Sequence, residues 1–181
     1  MPRAVPAVRE AGAEDLVLLP DLEAASDTLL AGMPGVRGAG AGAGAGDDHL
    51  PLPLPATKAE LAAARHILVA GEPPVGFARI EEVDGSAHLE QLSVHPAAAG
   101  KGLGRVLLKS ALDWAAAQGY RSMTLCTFAE VPFNAPFYRS CGFEVVPAPG
   151  GELGALRDHE RQLGLDALGE RVAMRCELLR T

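Results

Sequence analysis

The run Leu92-Ser93-Val94-His95-Pro96-Ala97-Ala98-Ala99-Gly100-Lys101-Gly102-Leu103-Gly104-Arg105 holds the residue types best suited to chemistry in this chain. It reads as a strand, a glycine-rich turn and the first turn of a long helix. Glycines let a backbone turn its N–H groups inward with no side chain in the way. A helix N-terminus adds unpaired donors and partial positive charge. Together they form a cradle for a phosphate or pyrophosphate, with Lys101 and Arg105 adding local positive charge. The plainer reading of such glycines is a tight turn that permits close packing. Two familiar phosphate motifs fail here. A P-loop requires Ser or Thr after Gly-Lys, and Lys101 is followed by Gly102; the dinucleotide fingerprint requires glycine where Arg105 stands.

Those residues need elements to position them, and the 181-residue chain has the means. Length favours one domain, 1–181, and 48% hydrophobic residues supply a core that 4% aromatics leave mostly aliphatic. Residues 4–9 read as an opening strand and 13–31 as a helical run that Pro20 breaks or kinks. Thr57 and Glu60 have capping-box spacing ahead of a helix. Strands follow at 66–71, 75–83 and 87–95, the last two joined by the hairpin dipeptide Asp84-Gly85. A helix over 103–118 ends at Gly119, a strand covers 121–128, and a short helix over 136–141 closes at Gly142. Strands at 143–146 and 171–178 flank a partly helical 151–169. Hairpins followed by helical crossovers predict a mixed α/β fold on a single mixed sheet. The Gly–Ala alternation from Gly38 to Gly46 predicts a flexible loop at about 32–55, since such small residues bury too little surface to offset their ordering entropy.

Composition also excludes function classes. Sixteen basic against 23 acidic residues give a formal charge of −7, which argues against sequence-independent nucleic-acid binding. No apolar stretch reaches the ~20 residues of a membrane helix and no signal peptide is evident, so a soluble cytoplasmic protein is expected. Cys126, Cys141 and Cys176 read as reduced thiols, buried as small apolar residues. His49, His66 and His159 lack ligand spacing and no metal site is expected. His95 reads as structural, Trp114 as a core residue, and Ser93 lacks the paired base of a nucleophile.

A second motif, Phe133-Asn134-Ala135-Pro136-Phe137-Tyr138-Arg139-Ser140-Cys141-Gly142-Phe143, follows the glycine loop after a helix and a strand. The two motifs in this order resemble the GNAT superfamily of acyl-CoA N-acyltransferases, over about Val8 to Leu178. That family's loop reads Gln or Arg, two residues, Gly, one residue, then Gly or Ala. Gly102 and Gly104 match, while Ala99 stands where Gln or Arg is usual. Tyr138 lies four residues before Gly142-Phe143, as in the family. The Asn usually seven residues before that Tyr is replaced by Val131, with Asn134 only four before.

The resemblance implies a GNAT fold whose sheet splays open beside the glycine-loop strand, with acetyl-CoA as co-substrate. Its pantetheine arm would bond the backbone of Leu92, Ser93 and Val94. Its pyrophosphate would meet Ala99, Gly100, Lys101, Gly102, Leu103, Gly104 and Arg105, with Asn134 and Phe137 nearby. Acetyl transfer to a primary amine needs a neutral amine, a stabilised oxyanion and a proton for the departing thiolate. Tyr138 is the implied general acid. For the base, His88 and Glu90 share strand parity with Leu92 and Val94, so both are expected to face the acceptor side; the choice between them stays open. With no activated nucleophile, a ternary complex is expected rather than an acyl-enzyme. The rival expectation is a module that binds CoA or acetyl-CoA as a sensor. Homodimers are common among similar proteins.

Overall fold

The structure is a computed structural model and describes residues 5–37 and 52–178. The Gly38–Gly46 alternation and His49 lie outside the described residues. Among the described residues, seven strands form one sheet: β1 (Val8–Glu10), β2 (His66–Ala70), β3 (Gly76–Val83), β4 (Ser86–Val94), β5 (Ser122–Phe128), β6 (Glu144–Val146) and β7 (Arg171–Glu177). Their spatial order is β1-β2-β3-β4-β5-β7-β6. Every pairing is antiparallel except β4 with β5, which makes the expected mixed sheet. The helices are α1 (Leu19–Asp27), α2 (Lys58–Ala63), α3 (Leu103–Ala117), α4 (Ala135–Arg139), α5 (Gly151–Gln162) and α6 (Leu165–Leu168).

Local chemistry explains the boundaries. Thr57 and Glu60 form the capping box at the start of α2, side chain to backbone in both directions. Asp84 and Gly85 both take positive φ, 51° and 68°, which turns β3 tightly into β4. Leu103, Leu107, Leu108, Ala111 and Ala115 give α3 one buried stripe. Pro20 stands at the break expected in the 13–31 run, which divides here into a 3-10 turn (Asp15–Val17) and α1. It occupies the first turn of α1, where a missing N–H costs nothing, so it marks the start of the helix.

The sheet has two differently covered faces. On one, α3 and α4 pack over Leu68, Ala78, Ile80, Leu89, Met123, Leu125 and Met174 in the main core. On the other, α1 and α2 cover Ile67, Val69 and Phe77, and α5 covers Val83 and Ala173. A separate apolar cluster joins Leu30, Phe128, Val131, Leu165 and Leu168, with Met33, Val36 and Leu52 against it. The described ends of the expected 32–55 loop are therefore docked: Arg37 N–H donates to the Leu168 carbonyl at 2.5 Å, and Ala56 N–H donates to Glu23 at 3.2 Å. Gly169 is required there, because a Cβ would strike the carbonyl oxygen of Gly35.

Two packing expectations are corrected. Trp114 is half-buried and stacks on His66 with ring centroids 4.4 Å apart, at the margin of the core. The three cysteines are free but only partly buried; each sits near an element end or cleft wall rather than deep in a helix–sheet interface.

Candidate active site

The β4–β5 pairing covers only Ala87↔Met123 and His88↔Thr124. Past that point the strands diverge, so the second half of β4 has no neighbour on this side. Because His95 N–H donates to the Val75 carbonyl, alternation in the antiparallel ladder turns the amides of Val94 and Leu92 away from β3 and into the gap. Val94 N–H meets only the Ser26 hydroxyl of α1, at 3.3 Å. The divergence opens a cleft of about 950 Å³.

At one end lies the glycine loop. Gly100 and Gly102 take φ of 72° and 82°, and Gly102 is the N-cap of α3 with no side chain on the first-turn amides. Those N–H groups are free to meet an anion. Ala99, Gly100, Gly102, Leu103, Gly104 and Arg105 all line the cleft. Arg105 donates to Ser140 Oγ at 2.9 Å and to Cys141 Sγ at 3.2 Å, and its guanidinium lies 5.5 Å from the centre of the Phe137 ring. It thereby ties α3 to α4. Asn134 and Phe137 line the same end. Lys101 and Ser93 do not line the cleft. The Lys101 ammonium donates to the Ala97 carbonyl at 2.6 Å, and buried Ser93 accepts from Gln91 at 2.9 Å.

Tyr138 lines the middle of the cleft, 7% exposed. Burial pushes its hydroxyl above the usual phenol range. Phe137 and Phe143 hold the ring edge-on at 5.2 and 5.7 Å. Among the described residues the hydroxyl has no hydrogen-bond partner, and it is not sealed in the core.

The parity expected for His88, Glu90, Leu92 and Val94 is overturned by a β-bulge. Arg79 pairs with Gln91 while the next residue, Ile80, pairs with Leu89, which leaves Glu90 as the extra residue in β4. Leu89 and Leu92 therefore both face the α3 side. His88, out of phase with Leu89, lies on the opposite face, and Glu90 is thrown into the cleft. His88 Nδ1 is 2.8 Å from Thr124 Oγ1, and its Nε2 is 3.6 Å from Glu90 Oε2. At 3% exposure, desolvation drives the imidazole pKa down to about 4, so the ring is neutral at pH 7. Glu90 is 41% exposed within the cleft. Desolvation raises its pKa, Arg79 opposes that, and Glu81 and Glu160 add to it.

The acetyltransferase (GNAT) family profile matches residues 44–143 of the chain. The chain belongs to the GNAT acetyltransferase family. Solved GNAT-type structures share the fold over almost the whole length. The PaiA N-acetyltransferase of Thermoplasma acidophilum, in complex with coenzyme A, aligns at a TM-score of 0.64 and 16% identity, covering 97% of this chain and 99% of that one. The ribosomal-protein-S18-alanine N-acetyltransferase of Escherichia coli aligns at 0.61 and 17%, covering 97% and 95%. A GNAT-like decarboxylase, GphF, in complex with isobutyryl-CoA, aligns at 0.66 and 18%, covering 96% and 100%. At such identities the likeness concerns the fold.

The GNAT cleft also contains residues that sequence reasoning missed. Glu23 of α1 lines it and accepts only the Ala56 N–H; desolvation lifts its pKa to about 7, helped by Asp27 and Glu90 and opposed by Ala56 N–H and Arg79. Its signal was faint, since Glu23, Ser26 and Asp27 share one helix face without any motif. Arg171 and Glu160 also line the cleft, 2.6 Å apart. Cys126 lines it too, but burial pushes its thiol up to about 12, so it is not a nucleophile at neutral pH. Among the described residues no His, Cys, Asp and Glu group has metal-binding geometry, and no helix is long and apolar enough to cross a membrane.

Proposed function

We propose that this GNAT domain, acting over residues 1–181 as one unit in the cytoplasm, transfers the acetyl group of acetyl-CoA directly to a primary amine. The observation that carries the reading is the meeting of three features in one cleft: the anion-ready loop, the β4 amides left without a strand partner, and the unpartnered Tyr138 hydroxyl. In this reading the pyrophosphate sits on the amides around Gly100–Arg105, and the pantetheine arm runs along Leu92 and Val94. The same β4 amides are positioned to stabilise a tetrahedral oxyanion.

Glu90 is the better base of the two. His88, with a pKa near 4, holds a proton too weakly, whereas a carboxylate raised by burial is poised closer to neutrality. The neutral His88 ring lies beside Glu90, its Nε2 3.6 Å from the carboxylate. The acceptor ammonium gives a proton to Glu90, directly or through water. Its nitrogen lone pair then attacks the thioester carbonyl, the C–N bond forms, and the C–S bond breaks on collapse. Tyr138 protonates the departing thiolate and regains its proton from the amide-forming nitrogen through solvent. A raised Tyr138 suits this step, because burial raises a thiol in the same cleft as well, as it does Cys126.

The test is thiol release from saturating acetyl-CoA across an amine panel. Tyr138→Phe is expected to lower kcat by ~10²–10⁴-fold while CoA affinity and thermal stability stay unchanged, since the hydroxyl has no protein partner. Full activity in Tyr138→Phe would remove the acid role. Acetyl-CoA binding with no thiol release from any amine would favour a sensor instead.

A further inference from the structure

The charges around the cleft do not balance. Of the basic side chains lining it, Arg79 is engaged by Glu81 at 2.6 Å, Arg171 by Glu160 at 2.6 Å, and Arg105 by the α4 end of the site. Glu60 is occupied by the α2 capping box. Beyond Glu60, Glu90 on β4 and Glu23 on α1 form no ion pair with Lys or Arg among the described residues: Glu90 lies 3.6 Å from His88 and Glu23 accepts an amide, while Asp27, one turn on from Glu23, lines the cleft as an engaged carboxylate. Glu90 and Glu23 approach the cleft from different elements. Ser26, one turn after Glu23 on the same helix face, touches the β4 backbone at Val94, so the two carboxylates face one space. Beside them runs an apolar wall of Leu30, Met33, Leu52, Phe128 and Leu165, all part of one cluster and all lining the cleft.

One amine needs one base, and the second carboxylate is surplus to transfer itself. We propose that the acceptor is a linear diamine, a primary amine carrying a second cationic nitrogen beyond an alkyl spacer. The reacting nitrogen sits at Glu90, the spacer lies along the apolar wall, and the distal ammonium is bound by Glu23. This assignment rests on the reading of the cleft as an acetyl-transfer site. Ala56 N–H takes Glu23 Oε2, which leaves Oε1 for the ligand. The desolvation that brings Glu23 to about 7 has a further consequence. A cation beside it stabilises the anionic form, so ligand binding at pH 7 expels part of a proton.

The experiment compares 1,n-diaminoalkanes with 1-aminoalkanes of equal length, using thiol release from acetyl-CoA. The diamines are expected to show kcat/KM at least tenfold higher. Glu23→Gln, which keeps the acceptor for Ala56 N–H, is expected to collapse that ratio towards one with little change for the monoamines. A merely structural role would move both series together. Equal rates for the two series, or a preference that survives Glu23→Gln, would overturn the proposal. If no amine releases thiol, the transfer reading fails on its own, and calorimetry decides this one separately. Diamines must then still bind the CoA-saturated protein at least tenfold tighter than monoamines, with a proton released in buffers of differing ionisation heat. Absence of that preference would refute the Glu23 subsite.

Discussion

Glu23→Gln also tests the electrostatics of the empty cleft, without any ligand. In the unfolded chain Glu23 titrates near 4.5, and in the folded protein near 7. The folded state therefore holds more protons between those values, and the wild type loses stability as pH rises from about 4.5 to about 7, then levels off. At 1.36 kcal/mol per pKa unit the full loss is about 3 kcal/mol, and water reaching the cleft brings the expected value to about 1–3 kcal/mol. Gln removes the titration while its amide oxygen still accepts Ala56 N–H. The variant should match the wild type within about 0.5 kcal/mol at pH 4 and exceed it by about 1–3 kcal/mol at pH 8. Urea unfolding at the two pH values gives the difference, and groups common to both proteins cancel. For a chain of this size the pH 8 gap corresponds to about 2–10 °C in Tm. A gap that is the same at both pH values, or a wild type more stable at pH 8, would refute the desolvation argument.

Three other outcomes follow from geometry. Gly102→Ala introduces a side chain into open space but at φ 82°, a strain of about 1–2 kcal/mol that should appear as lost stability in chemical denaturation; where the free loop relaxes out of this conformation, CoA binding measured by calorimetry weakens by at most about five- to thirtyfold. Arg157, 3% exposed, donates to Glu160, to both oxygens of Asp166 and to the Arg171 carbonyl; Arg157→Ala removes these bonds, but Arg171 still holds Glu160 and Arg161 still lies 3.5 Å from Asp166, so the loss should be about 1.5–3 kcal/mol in chemical denaturation. Thr57→Ala removes one half of the α2 capping box and should lower stability by about 0.5–2 kcal/mol, read as a small drop in melting temperature.

What the sequence made legible was whatever local rules decide. The Thr57–Glu60 box, the Asp84-Gly85 turn, the apolar stripe of α3 and the glycine loop each depend on neighbours in the chain, and each stands where expected. Pro20 stands at the expected break in the 13–31 run, but local rules do not say which side of it is the longer helix: the missing N–H that would break a helix interior here opens α1. The phase of β4 was hidden for a different reason. Nothing in Leu89-Glu90-Gln91 marks a bulge, since the extra residue is defined by its partner Arg79–Ile80 on another strand. Glu23 was invisible because its importance comes from the elements that desolvate it, which lie distant in sequence. The outer parts of the 32–55 segment that the structure describes looked unstructured for want of any local signal, yet Leu168, Phe128 and Glu23 hold them.

The divergence of β4 from β5 leaves the molecule with a strand edge in its interior. Exposed edges invite pairing with other chains, but α1 crosses this one and Ser26 already touches its last amide. A linear ligand with amide groups can complete the ladder as an added strand does, through main-chain bonds. Recognition of that kind is written in the backbone of Leu92 and Val94 and is indifferent to the side chains around it. Under the proposed transfer reading, residues on α1, α5 and the segment before α2 are free to change the acceptor side of the cleft without disturbing a donor arm held by backbone alone.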